Sequence, residues 1–227
     1  MQQAPDHTLK AFDDDLDRLR GLISQMGGLA EHAIGEAMRC LVDRDVEGAE
    51  RVVADDQKLD ALEVETERRA IQLIALRAPM AGDLRDVVAA LKISGVVERI
   101  GDYGKNIAKR VPLLENTKIE PISLLAEMAR IATQMVHDVL DAFVERDADA
   151  AVRVCQRDSA VDDFYDSIFR TLLTHMMENP HTIGASAHLL FVAKNVERVG
   201  DHATNIAEMV YYAATGEHMA DRHKQGG

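Results

Sequence analysis

The sequence predicts an all-α protein made of two tandem three-helix bundles, six long helices in all. Three observations carry that prediction. Of the 227 residues, 47% are apolar but only 4% are aromatic, with no Trp and five Pro, a vocabulary of aliphatic helices packed on one another. Strand signals, runs of β-branched and aromatic residues alternating with polar ones, are hard to find. Third, the chain repeats itself. Glu98-Arg-Ile-Gly-Asp102-Tyr-Gly-Lys-Asn106-Ile-Ala108 and Glu197-Arg-Val-Gly-Asp201-His-Ala-Thr-Asn205-Ile-Ala207 agree at seven of eleven positions, at an offset of 99. Upstream, Arg44-Asp45 and Arg146-Asp147 each lead to an Asp-x-x-x-Asp, Asp56/Asp60 and Asp158/Asp162, at an offset of 102. Such repeats decide the architecture before any motif does.

The elements follow in order. A first helix spans about Thr8 to Arg44, with Gly27-Gly28 marking an expected bend because glycine weakens a helix interior. Its counterpart runs from about Ser123 to Arg146. Asp45 and Asp147 are the expected N-caps of the second helices, since a carboxylate there accepts from the first free amides. Pro79 and Pro180 end those helices, as proline disfavours helical geometry in the residue before it. Third helices run from about Ala81 to Glu115 and from Thr182 to Thr215, the latter stopped by Gly216. Asn116 to Pro121 links the copies, which places the repeats at residues 1–118 and 119–227, the second ending in a short polar tail. Met26, Met128, Met176 and Met177 read as core filling. His32, His137 and His175 read as surface or satisfied core histidines, and Asp83 and Arg85 as a helix-start charge and a surface pair.

Composition excludes several classes. The formal charge of −13 repels nucleic acid and anionic membranes. Cys40 and Cys155 form no C-x-x-C, which argues against thiolate zinc and disulfides and for a reducing compartment. Met1 to Lys10 lacks a charged stretch followed by an apolar core, so no signal peptide is expected, and the apolar run His188–Ala193 is too short to span a bilayer; the expectation is cytoplasmic without membrane insertion.

The acids carry the candidate site. In the second helix a 3–4 stripe reads Ala49, Val53, Asp56, Asp60, Glu63, Glu67, Ala70, Ile74; its counterpart reads Ala151, Cys155, Asp158, Asp162, Tyr165, Phe169, Leu172, Met176. Two carboxylates one turn apart on a core-facing stripe are unfavourable unless something compensates them. Glu98 and Asp102, like Glu197 and Asp201, share a face four residues apart. Gly101 and Gly104, matched by Gly200 and Ala203, let a neighbouring helix approach. If second and third helices pack antiparallel, one cluster collects Asp56, Asp60, Glu98 and Asp102, and the other Asp158, Asp162, Glu197 and Asp201. Carboxylates so gathered need a cation or raised pKa values. Oxygen-only ligation favours magnesium, manganese or iron ahead of zinc. Asn106 and Asn205 are accessory candidates, and His202 another for the second cluster only. A plain bundle with solvated acids is the bland alternative.

No Ser-His-Asp grouping and no phosphate-cradling glycine motif is present. A ferritin-like di-iron enzyme would need Glu-x-x-His pairs on facing helices, and the one such pair, Glu178-Asn-Pro-His181, straddles a proline. At the E-R-I/V-G-D motifs the sequence resembles the PhoU family of bacterial phosphate-uptake regulators, over nearly the whole chain. The first motif departs through Tyr103-Gly104-Lys105, and Lys105 is expected to weaken or rearrange its site. The resemblance implies a non-enzymatic adaptor, a negative regulator of the phosphate-starvation response. It further implies partners in the ATPase subunit of a phosphate ABC transporter and a sensor histidine kinase, a homodimer, and multinuclear metal clusters on the E/D-x-x-x-D motifs.

Overall fold

Helix follows helix because almost every polar backbone group is satisfied locally and each helix offers an apolar face to a neighbour. The computed structural model describes residues 4–114 and 121–219. The order is α1 (Ala4–Asp43), α2 (Val46–Arg77), α3 (Gly82–Ala108) and a one-turn α4 (Val111–Leu114). Then come α5 (Ile122–Glu145), α6 (Ala148–Gln156), α7 (Asp158–Glu178), a 3-10 turn at Pro180–Thr182, and α8 (Ile183–Thr215). No strand occurs among the described residues. None of the described helices is long and apolar enough to cross a membrane. The linker's Asn116 to Glu120, the boundary at 118/119, and the tail from Ala220 onward fall outside the described residues.

The turn that opens each second helix is built twice by the same chemistry. Arg44 and Arg146 take left-handed φ values of 59° and 57°. The next amide, of Asp45 or Asp147, then bonds back to Cys40 O at 3.0 Å or Ala142 O at 2.9 Å, closing the preceding helix in a Schellman-like turn. The Asp45 carboxylate accepts from Gly48 N at 2.7 Å and that of Asp147 from Ala150 N at 2.9 Å. Both predicted N-caps therefore form. The cap interaction holds each carboxylate below its usual pKa.

Four local expectations are corrected. Helix α1 runs without interruption through Gly27-Gly28; a Cβ on Gly27 would lie 2.2 Å from Leu140 Cδ1, so this glycine admits α5 instead of marking a bend. Helix α3 ends at Ala108, not Glu115, because Pro112 brings no amide for the carbonyl of Ala108 and its ring clashes there. The counterpart of α2 is split at Arg157, where bonds to Val154 O and from Ala160 N, at 3.0 and 3.1 Å, tighten the chain. No helix breaker in the sequence marks that junction; the Arg157 guanidinium is tied to Asp138 of α5. Met177 is also not core: it is 78% exposed, whereas Met26 and Met128 are fully buried.

Pairings between helices set the frame. Asp15 with Arg77 and Met26 with Thr66 make α1 and α2 antiparallel. Leu59 over Gly101 and Glu63 beside Gly95 do the same for α2 and α3, and Val161 over Gly200 with Tyr165 under Lys194 for α7 and α8. Between the halves, Glu31–His137 and Gly27–Leu140 set α1 against α5. Arg85 reaches Ala213 O and Arg110 reaches His188, so α3 and α8 also run antiparallel. The buried residues of both halves form one hydrophobic core.

Candidate functional site

Antiparallel α2 and α3 bring the predicted acids of the first half to one surface. Leu59 sits where a Cβ on Gly101 would be, 2.2 Å from its Cδ2, and this close approach sets Asp56 and Asp60 beside Glu98 and Asp102. Glu98, half-buried, has a raised pKa through burial first and then through the carboxylates of Asp102, Glu63, Asp60 and Asp56. Glu63 is raised for the same reasons, by burial, Glu67 and Asp60, with Arg99 opposing. Lys105 answers the charge. Its ammonium contacts Asp56 Oδ2 at 2.5 Å and also pairs with Asp102. Burial opposes its charge, but these two carboxylates outweigh it and raise its pKa. Lys105 is thus an internal cation that bridges the two helices.

The second half repeats the plan with other details. Asp158 opens α7, and its Oδ1 lies 3.3 Å from where a Cβ on Gly200 would stand. Asp162, on the exposed side, is raised by burial, then by Glu197 and Asp201, with Lys194 opposing. Lys194 contacts Glu197 at 2.6 Å and lies 5.4 Å over the Tyr165 ring. Thr204 stands where Lys105 stands in the first half, so no lysine bridges α7 to α8 at that level.

The donor set of each cluster is oxygen-only, as a hard cation requires. Asp102 Oδ1 and Glu197 Oε2 are buried, accept no well-directed hydrogen bond, and are met by the ammonium groups of Lys105 and Lys194. Such oxygens retain lone pairs for another cation. Among the described residues, however, no three His, Cys, Asp or Glu side chains converge as a ready-made metal cage. Lys194 pairs with a carboxylate of its own helix, Glu197, whereas Lys105 joins a carboxylate of α2 to one of α3.

The accessory candidates lie elsewhere. His202 is turned to the junction of the halves: its ring stacks on Tyr103 at 5.5 Å and its Nε2 meets the Tyr103 hydroxyl at 2.9 Å. Burial, with Arg99 and Arg198 nearby, lowers its pKa. Asn205 bonds His202 Nδ1 at 3.5 Å and is exposed toward the α3–α8 cleft; Asn106 is half-buried. Glu178 and His181 are both exposed around the Pro180 turn, outside the bundle interior that a di-iron pair would need. Glu63, on the acidic stripe one turn beyond Asp60, joins the four predicted acids of the first half, while Tyr165 occupies its place in the second copy. Arg85, read as a surface residue, instead donates to Ala213 O at 3.5 Å.

Two stretches, residues 23–111 and 125–210, match the family model described as PhoU domain. A phosphate-specific transport system accessory protein PhoU homolog of Zymomonas mobilis is 53% identical over 95% of this chain and 92% of its own length. The homolog of that name from Caulobacter vibrioides is 47% identical over 96% and 95%. The crystal structure of PhoU from Pseudomonas aeruginosa superposes with TM-score 0.86 at 34% identity, covering 91% of this chain and 100% of that one. That of the phosphate transport system regulatory protein PhoU from Streptococcus pneumoniae gives 0.86 at 27% identity, over 92% and 99%.

Proposed function

Because the chain belongs to the PhoU family, we propose that it acts as an accessory regulator of phosphate-specific transport. In this reading it restrains the phosphate-starvation response when phosphate is plentiful, and does so in the cytoplasm as an adaptor, not an enzyme. The observation that carries the reading is the near full-length likeness to accessory proteins of phosphate-specific transport, at 53% identity for the Zymomonas homolog. The partners are the ATPase subunit of the transporter and a sensor histidine kinase. A homodimer is part of the proposal, and the exposed Phe169, Leu173 and Met177 of α7 offer an apolar stripe for it.

Metal belongs to the same proposal. Asp158, Asp162, Glu197 and Asp201 would hold a hard divalent or trivalent ion, iron, manganese, magnesium or zinc. Asp56, Asp60, Glu98 and Asp102 would do so in competition with Lys105. A bound cation supplies charge neutralisation and a cross-link between antiparallel helices. The chain's own part is to hold the carboxylates on rigid helices and keep lysines at their edge.

The test of function is alkaline phosphatase reporter activity in the source bacterium in excess phosphate, with and without the gene. High activity on deletion supports the regulator; unchanged activity sinks it. For metal, the content of purified wild type is compared with Glu197→Ala/Asp201→Ala and Glu98→Ala/Asp102→Ala. The first variant should lose the larger share, and equal content in all three removes the assignment.

A further inference from the structure

Away from the carboxylates, α3 carries a second pattern. Arg85, Lys92 and Arg99 recur every seven residues, hence along one face at steps of about 10 Å. They line a cleft of about 680 Å³ between α3 and α8, floored by Val96 and Met209, within the size range of small-molecule sites. In a chain where 39 acids face 26 bases, Lys92 and Arg99 have no hydrogen-bond or ion-pair partner among the described residues. Arg99 feels only the field of groups such as Glu63. The one carboxylate in the lining, Glu208, has a partner of its own. At the Arg85 end, Tyr212 stacks on His218 at 4.8 Å and 20°, a flat platform about 10 Å from the level of Lys92.

The molecule contains its own comparison. The offset of 99 carries Lys92 to Phe191, and Met209 back to Arg110. There the guanidinium lies 4.8 Å over the Phe191 ring, so that side satisfies its cation and covers its ring internally. On the cleft side the cation stands at the position equivalent to Phe191 and the apolar residue at the position equivalent to Arg110, and the cation is left without a ring.

From this we infer that the α3–α8 cleft binds a nucleoside polyphosphate. The base stacks on the Tyr212–His218 platform, and the phosphates lie against Lys92 and Arg99. The site is separate from the carboxylate clusters.

The experiment is fluorescence anisotropy of a ribose-labelled ATP analogue titrated with the full chain in EDTA at fixed ionic strength. Unlabelled ATP, adenosine and tripolyphosphate serve as competitors. ATP should compete at least tenfold better than adenosine or tripolyphosphate. Lys92→Glu should weaken binding at least tenfold. Lys92→Phe/Met209→Arg, which installs the residues of the filled side, should abolish it with the helical circular dichroism and melting temperature unchanged. Glu197→Ala/Asp201→Ala should bind as wild type does. No saturable binding, or full affinity in the Lys92 variants, overturns the assignment. So does tripolyphosphate matching ATP, which would reveal a patch for anions of any kind.

Discussion

At the scale of the residue, acid crowding is the dominant feature. Glu98 is raised by burial and by four neighbouring carboxylates, so its folded-state pKa exceeds its unfolded value. A carboxyl shifted that way favours folding below its unfolded pKa and loses that contribution as pH rises through the folded pKa. Removing the charge should therefore help at neutral pH and not in acid. We expect Glu98→Gln to melt higher than wild type at pH 7 in chelator, with the gain vanishing near pH 4; an equal shift at both pH values would refute the crowding. The identities of these acids were legible from the E-x-x-x-D spacing. Lys105 was visible too, but its bridge to Asp56 was not, because that contact depends on which residues of α2 the helix crossing brings opposite position 105.

At the scale of the element, small residues decide how closely helices meet. A Cβ on Gly104 would lie 2.9 to 3.0 Å from the carbonyl carbon and Cβ of Ala33 and from the amide of Ile34, largely unyielding backbone. Its counterpart Ala203 is fully buried and accommodated. We expect Gly104→Ala to cost about 1–3 kcal/mol through overpacking, despite alanine's better helix propensity. Chemical denaturation measures it, and a stabilised variant would show that α1 can retreat. Helix ends at Asp45, Asp147 and Gly216 are legible from their caps. The split at Arg157 is not, because it accompanies a tertiary pairing with Asp138; at the end of α3 the signal is Pro112, four residues past Ala108.

At the scale of the whole molecule, the halves are locked by charge as well as by apolar burial. Asp86 of α3 is 2% exposed and pairs with Arg20 of α1 at 3.2 Å and Arg146 beyond α5 at 3.3 Å. Burial raises its pKa while the two guanidinium groups oppose the rise. Deleting one member of a buried ionic group leaves the others uncompensated. Asp86→Ala should cost about 3 kcal/mol, read as a lower denaturation midpoint; a loss under about 0.5 kcal/mol, the usual size of a surface change, would mean that water already reaches the arginines. The repeat foretold two like halves, yet nothing in it foretold this knot, since Asp86 aligns with Ala185 in the second copy.

The Tyr103–His202 pair has one more consequence. These positions correspond under the internal repeat, so the local two-fold axis passes between them, and each side chain meets its own equivalent. In an assembly of two identical chains that place would hold two tyrosines or two histidines. A single polypeptide carries no such restriction, because the two positions are encoded separately, and here a phenol faces an imidazole as a matched hydrogen-bonding pair. The axis thus relates two places in the fold without demanding the same residue at each.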